Sequence, residues 1–354
     1  MVLCFKTNEF KKGKGYWKFN NSLLTDKEFV NIIKKQICEV KSQYACLVYN
    51  RNLISEIDNE MIQFTISEQT FLDILLMEIR GKSISYSTFR KKKMLEKEKS
   101  LEQEIFHLEQ NLSELVLPDL VSKQNELESI RKQKLKGQCI RSKVNWIEEG
   151  EKPSKYFTSL ESRNFVNKQI PKLMLDDGTL VCDQFDILNE SKSFYEKLYS
   201  KREEIIRENI NESLSHFEFP KLTTKESTAI EGPITDTEVL NFLKKMKNDK
   251  SPGPDGFSSE FFNFFWKDIG SFITRAINNS KELTCFTEPN KLSIITCIPK
   301  VGKPKQFLKN WRPISLLNVI YKLASRCIAE QIKTVLDKIM SGDKTWFFKV
   351  QIYR

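Results

Sequence analysis

Histidine is nearly absent from this 354-residue chain, which has only His107 and His216. Its eight cysteines (Cys4, Cys38, Cys46, Cys139, Cys182, Cys285, Cys297 and Cys327) form no Cys-Xaa-Xaa-Cys pair. That leaves too few clustered ligands for a zinc site, and scattered thiols in a long chain without a secretory leader do not build a disulfide framework. Long apolar runs are missing too. Nothing approaches the ~18 residues of a membrane span, and the N-terminus MVLCFKTNEFKKGKG has no apolar signal core. The expectation is a soluble, reduced, intracellular protein with no membrane partner, the choice between nucleus and cytoplasm staying open. Only 12 glycines against 25 phenylalanines exclude low-complexity disorder and favour a packed core.

The charge balance is what the chain does have. Fifty-seven Lys and Arg against 47 Asp and Glu give +10, a surplus that suits polyanionic partners. Between Arg80 and Lys143 the count is 15 Lys and Arg to 9 Asp and Glu, with clusters at Arg90–Lys93 and Arg131–Lys136. In the same region Leu101, Ile105, Leu108, Leu112 and Leu115 alternate steps of four and three, an a/d seam. Pro118 interrupts the pattern and Leu120 to Leu135 resume it, which predicts a helical hairpin or coiled coil. Its basic residues make either a solvated face or an RNA-binding platform.

Downstream, LMLDDGTLVCD (Leu173 to Asp183) reads as a hairpin around an Asp-Gly turn. Asp176 and Asp177 flank that turn and do not converge as metal ligands. Residues 213–233 read as a linker. ITDTEVLNFLKKMK predicts a helix capped by Thr235 or Asp236, and SPGPDG (Ser251 to Gly256) a tight turn in which Gly253 and Gly256 permit positive φ and Asp255 makes an Asx-turn. The aromatic run Phe257 to Trp266 has the spacing of a packed helix. Ile294 to Leu317 is the focal stretch: an apolar strand ending at Pro299, a basic loop with Lys300, Gly302, Lys303, Pro304 and Lys305, then Trp311-Arg312-Pro313 opening a second apolar strand. Cations held between two strands suit phosphate, since Arg presents a planar fork and Lys a point charge.

The IPK strand end, the GKP loop and NWRPISLLNVIYKLAS resemble the fingers of reverse transcriptases of LINE-type non-LTR retrotransposons. KSPGPDGFSSEFF (Lys250 to Phe262) resembles the segment before those fingers, and EGEKPSKYF the opening of the polymerase part. The resemblance implies an α+β chain, mostly helical over its N-terminal two thirds and followed by the fingers of a right-hand polymerase, with the palm missing. It divides the chain into an endonuclease remnant (1–40), a helical hairpin linker (41–145), an N-terminal extension (146–233) and truncated fingers (234–354). It implies an RNA template and a DNA primer as partners. Lys300 and Arg312 would contact the incoming nucleotide, and Lys250, Lys303 and Lys305 the nucleic acid. Phosphoryl transfer needs Mg²⁺ held by converging carboxylates. The family's palm aspartates, of the Phe/Tyr-Xaa-Asp-Asp type, have no counterpart here, so the fragment is expected to bind no Mg²⁺ and to be inactive alone. Trp346 and Val350 depart from the family pattern. A non-catalytic RNA-binding module and a decayed reading frame stay open as alternatives.

Overall fold

The computed structural model describes residues 15–46, 59, 61–111, 117–142, 170–200 and 220–339. The seam positions Leu112 and Leu115, the EGEKPSKYF segment, and Trp346 and Val350 lie outside them. The described chain is mainly helical with two small two-stranded sheets, an α+β composition. No described helix is long and apolar enough to cross a membrane. The residues fall into two compact units. One draws on Met1–Ser83, Asn211–Ile294 and Ser315–Arg354, the other on Ile84–Ile210 and Ile295–Ile314.

The first unit is built on aromatic packing. Helix α1 (Lys27–Tyr44) starts at Asp26, whose carboxylate accepts from the Glu28 and Phe29 N–H groups. This satisfies two of the donors a helix N-terminus leaves free. It buries Phe29, Ile33, Ile37 and Val40 at helical spacing. The first turns of α2 (Glu68–Gln110) bury Phe71, Leu72, Leu75 and Ile79. Phe71 stacks on Phe64 at 3.7 Å between ring centroids and meets Phe272 edge-on. Phe257, Phe261, Phe262 and Phe265 are fully buried, so the aromatic run is core, as its spacing indicates.

That run reaches from the short helix α7 (Ser259–Phe264) into the start of the longer α8 (Trp266–Glu282). Arg275 on α8 ties the unit together: its guanidinium donates to the carbonyls of Asn59 (2.8 Å) and Ile62 (2.7 Å), pairs with Glu68 and lies over the Phe64 ring.

Helix α5 (Thr224–Glu231) lies inside the stretch the sequence presents as a linker. Thr223 and Glu226 form a reciprocal capping box there, while no residue of the helix is buried. A periodicity search misses it because it has no apolar stripe. Helix α6 (Asp236–Lys245) repeats the capping box with Thr235 and Glu238 and buries Val239 and Leu243. Short α9 (Glu288–Lys291) and long α10 (Val319–Ile339) complete this unit.

In the second unit, the later part of α2 and α3 (Leu117–Ser142) form an antiparallel hairpin, as the interruption at Pro118 predicts. Leu101 and Ile105 pack on Leu120, Leu127 and Ile130, with Met94 and Leu108 alongside. Pairs Glu98–Lys134, Glu102–Arg131 and Glu104–Lys123 flank this seam. β1 (Leu173–Met174) and β2 (Leu180–Val181) pair antiparallel around Gly178 at φ 84°. Asp177 accepts from the Thr179 N–H at 2.8 Å, a turn role like the one its position suggests. Asp183 caps α4 (Gln184–Tyr199).

Candidate nucleotide and nucleic-acid interface

Two sequence signatures become structure at two places: a strand hairpin in the second unit and a tight turn in the first. Strands β3 (Ser293–Pro299) and β4 (Trp311–Leu317) form one two-stranded sheet. The eleven residues joining them are too few for a parallel crossover, so the pair is antiparallel. The Lys300 N–H donates to the Asn310 carbonyl at 2.8 Å and closes the base of the loop.

The loop is stitched by its own polar groups. The Lys303 N–H donates to the Lys300 carbonyl, Asn310 Nδ2 to the Pro304 carbonyl (3.0 Å) and Trp311 Nε1 to the Lys305 carbonyl (2.8 Å). Gly302 takes φ 71°, a conformation that costs side-chain-bearing residues energy. Leu308 packs with Leu173 and Ile187, and the Met174 N–H donates to the Gln306 carbonyl at 2.8 Å, so β1 and α4 hold the loop from below. Trp311 is buried and hydrogen-bonded, which makes it a packing anchor and leaves no face for a base.

The cations sit on this framework. Lys300 and Arg312 stand at the same end of the hairpin, one just past β3 and the other second in β4. The Lys300 ammonium donates to the Lys309 carbonyl at 2.8 Å. Arg312, Lys303 and Lys305 are exposed and have no side-chain hydrogen bond or ion pair among the described residues. Among the described residues no carboxylate is ion-paired with these four cations, which leaves the loop with a local excess of positive charge. Among the described residues, no group of three His, Cys, Asp or Glu side chains converges as a metal site. Strand residues Ile295, Ile298 and Ile314 stay at least 40% exposed, an apolar surface on the hairpin.

Lys250 lies in the other unit, exposed, beside the Pro252–Gly256 turn. That turn is fixed on several sides. The Tyr16 hydroxyl donates to the Pro252 carbonyl (3.2 Å), and the Phe19 N–H to that of Gly256 (2.9 Å). Gly256 does take positive φ (83°), and a Cβ there would lie 2.3 Å from the Trp17 ring. Gly253 does not take positive φ. Its glycine serves close approach instead, since a Cβ would lie 2.3 Å from Asn318 Oδ1 and 2.5 Å from the Leu317 carbonyl carbon.

Asp255 makes the Asx-turn its place suggests, Oδ1 accepting from the Phe257 N–H at 3.1 Å. Its Oδ2 is buried without a hydrogen-bond partner. Burial pushes the Asp255 carboxyl up to about 6, against the opposing pull of the Phe257 N–H, Arg80, the Gly256 N–H and Lys322. Burial likewise lowers the Lys322 ammonium from its ordinary value. The sequence reveals neither Arg80 nor Lys322 as a partner of this turn, because each lies far from it along the chain.

The helical hairpin separates its two basic runs. Arg131, Lys132 and Lys134 are each ion-paired, to Glu102, Glu128 and Glu98. Lys91, Lys92 and Lys93 are exposed on α2, and among the described residues a 3.9 Å Lys92–Glu96 pair is the one ion pair they make.

No protein-family model matches the chain. Over 338 residues, 94% of its length, it is 27% identical to the "Transposon TX1 uncharacterized 149 kDa protein" of Xenopus laevis. It is 32% identical over 105 residues to the "Probable RNA-directed DNA polymerase from transposon X-element" of Drosophila melanogaster, and 28% identical over 104 residues to the corresponding protein from transposon BS. The chain spans 24% of the Xenopus protein and 12% of each Drosophila protein, matching 30% and 29% of its own length in the latter two. The chain is a homologue of transposon-encoded proteins, RNA-directed DNA polymerases of Drosophila transposons among them.

Proposed function

We propose that this chain carries the fingers and the preceding helical region of a LINE-type retrotransposon reverse transcriptase, and that its own task is to grip the incoming nucleotide and the nucleic acid. The observation that carries this is the pairing of Lys300 with an exposed, unpaired Arg312 at one end of the β3–β4 hairpin. Arg312 offers two parallel N–H donors to phosphate oxygens, and Lys300 can exchange the Lys309 carbonyl for a stronger, charged acceptor. Lys303 and Lys305 extend the positive surface along the loop, and Lys250 does the same beside the turn; these contacts position a polynucleotide without reading its sequence.

The carboxylates that hold Mg²⁺ in this chemistry are not supplied by the hairpin. Binding, rather than turnover, is therefore the activity this chain is assigned. A fluorescent deoxynucleoside triphosphate titrated into the whole chain tests it. Lys300→Ala and Arg312→Ala should each weaken binding by about tenfold, the loss of one charge-assisted contact. Equal binding by wild type and the double variant would overturn the assignment.

A second reading, an RNA-binding helical module without nucleotide chemistry, is favoured by one observation only. Lys91–Lys93 are exposed, whereas Arg131, Lys132 and Lys134 on α3 are each held in an ion pair. Neutralising those three lysines should then weaken RNA binding and flatten its salt dependence.

A further inference from the structure

Tyr16 and Trp17 stand where the chain first meets the Pro252–Gly256 turn. Both rings remain partly exposed, although their neighbours Phe19 and Phe257 are buried. Neither ring is free to collapse inward. The Tyr16 hydroxyl is tethered to the Pro252 carbonyl, and Trp17 packs edge-on against Phe19 and Phe257 with the bare Gly256 backbone behind it. Each ring also carries a cation: Lys18 Nζ lies 4.7 Å from the Tyr16 centroid and the Arg80 guanidinium 5.2 Å from that of Trp17.

Rigid, partly exposed aromatic rings interleaved with cations are the elements of a single-strand binding surface. The rings and the guanidinium plane stack on bases of any sequence, while the ammonium and the guanidinium N–H groups meet phosphates. Two cations, Arg80 and Lys322, act on the Asp255 carboxylate beside them. We infer that Tyr16, Trp17, Lys18 and Arg80 form a stacking platform for single-stranded nucleic acid on the first unit. The inference rests on the proposed nucleic-acid role and adds a contact outside the hairpin and outside the Lys91–Lys93 run of α2.

The test uses the whole chain and a fluorescein-labelled, unstructured 12-nucleotide RNA, with a DNA of the same sequence as the second arm, followed by polarisation at two salt concentrations. Tyr16→Ala should cost about fivefold or more in affinity, the loss of one stacked base. Lys18→Ala, at an exposed position, should lower the salt slope by about one phosphate's worth. Ultraviolet cross-linking with peptide mapping should place the RNA on the 16–18 segment. RNA and DNA binding equally would assign the contact to stacking and phosphate, whereas preference for RNA would add the 2′-hydroxyl. If wild type binds RNA while both variants keep its affinity and salt slope and no cross-link maps there, the platform is overturned and the proposed function stands. If wild type binds neither strand, the platform falls with the proposed nucleic-acid grip, while the nucleotide contact of Lys300 and Arg312 is decided by the triphosphate titration. Melting curves of the variants separate lost contacts from lost fold, and Lys18→Ala keeps the test decisive if Tyr16→Ala unfolds.

Discussion

The Asn318 side chain accepts the Asp255 N–H at 3.2 Å through Oδ1 and donates to the Pro289 carbonyl at 3.1 Å through Nδ2. One buried amide thus fastens the Pro252–Gly256 turn and helix α9 to the start of α10. Asn318→Ala would take the partner from the part-buried Asp255 N–H, at about 1–3 kcal/mol, and remove a buried side chain that also holds the Pro289 carbonyl. Asn318→Ala should lower unfolding free energy by about 2–4 kcal/mol in urea titrations. A loss under about 0.5 kcal/mol would mean that the staple carries no weight.

Glycines at two turns should respond differently to alanine. At Gly253 a methyl group meets the Leu317–Asn318 backbone, which cannot give way as a flexible side chain can. At Gly302 nothing lies within 4 Å, and only the φ of 71° opposes a side chain. Gly253→Ala should cost about 3 kcal/mol or more through overpacking, and Gly302→Ala about 1 kcal/mol through the left-handed backbone. Thermal melts of the two variants side by side decide the order. A larger loss at Gly302 would contradict the close approach at 253.

In the α2–α3 hairpin the apolar seam, rather than the ion pairs that flank it, should hold the helices together. Leu127 is buried against Leu101 and Ile105, whereas Arg131 and Glu102 are each about half exposed. Leu127→Ala should cost about 2–3 kcal/mol, and Arg131→Ala less than about 1 kcal/mol because water and salt screen the pair. Hydrogen exchange over 117–135 reads the difference directly. Faster exchange in Arg131→Ala than in Leu127→Ala would reverse the ranking.

Features written in neighbouring residues were legible in the sequence. The Asp-Gly turn of β1–β2, the Thr235 cap and the break at Pro118 each depend on chemistry within a few positions. The Leu101–Leu108 seam announces its own buried face. Helix α5 had a local signal too, the Thr223-to-Glu226 capping box, but without a buried residue it resembles a linker. Gly253 could be recognised as a turn glycine, yet its reason lies in a backbone more than sixty residues away. The same distance hid Asn318, Arg80 and Lys322. At the candidate site, the sequence offered the cations Lys300 and Arg312 but not that Lys300 is already engaged by the Lys309 carbonyl while Arg312 is unpaired. Arg80 over the Trp17 ring is likewise a partner that only the folded chain supplies.

Asp255 gives the turn a pH dependence with a definite sign. Its folded-state value of about 6 lies above the ordinary 3.8, because burial of a carboxylate with one unpartnered oxygen outweighs Arg80, Lys322 and the backbone donors. Below 3.8 both folded and unfolded chains hold the proton, and the group imposes no penalty. Between 3.8 and 6 the unfolded chain ionises first, so the folded state binds more protons and stability falls as pH rises. Above 6 the penalty is complete and flat. Glu226 acts in the opposite direction: its hydrogen bonds to Lys338 and Thr223 hold it down to about 2, so its contribution is lost as pH falls. Comparing wild type with Asp255→Asn cancels Glu226, which both carry, while the amide oxygen can still accept the Phe257 N–H. Urea titrations at pH 4, 5, 6 and 7 should show wild type losing stability relative to Asp255→Asn from pH 4 to about 6.5 and then levelling. A flat difference, or one that rises with pH, would mean that the carboxylate is solvated and that burial does not govern its proton.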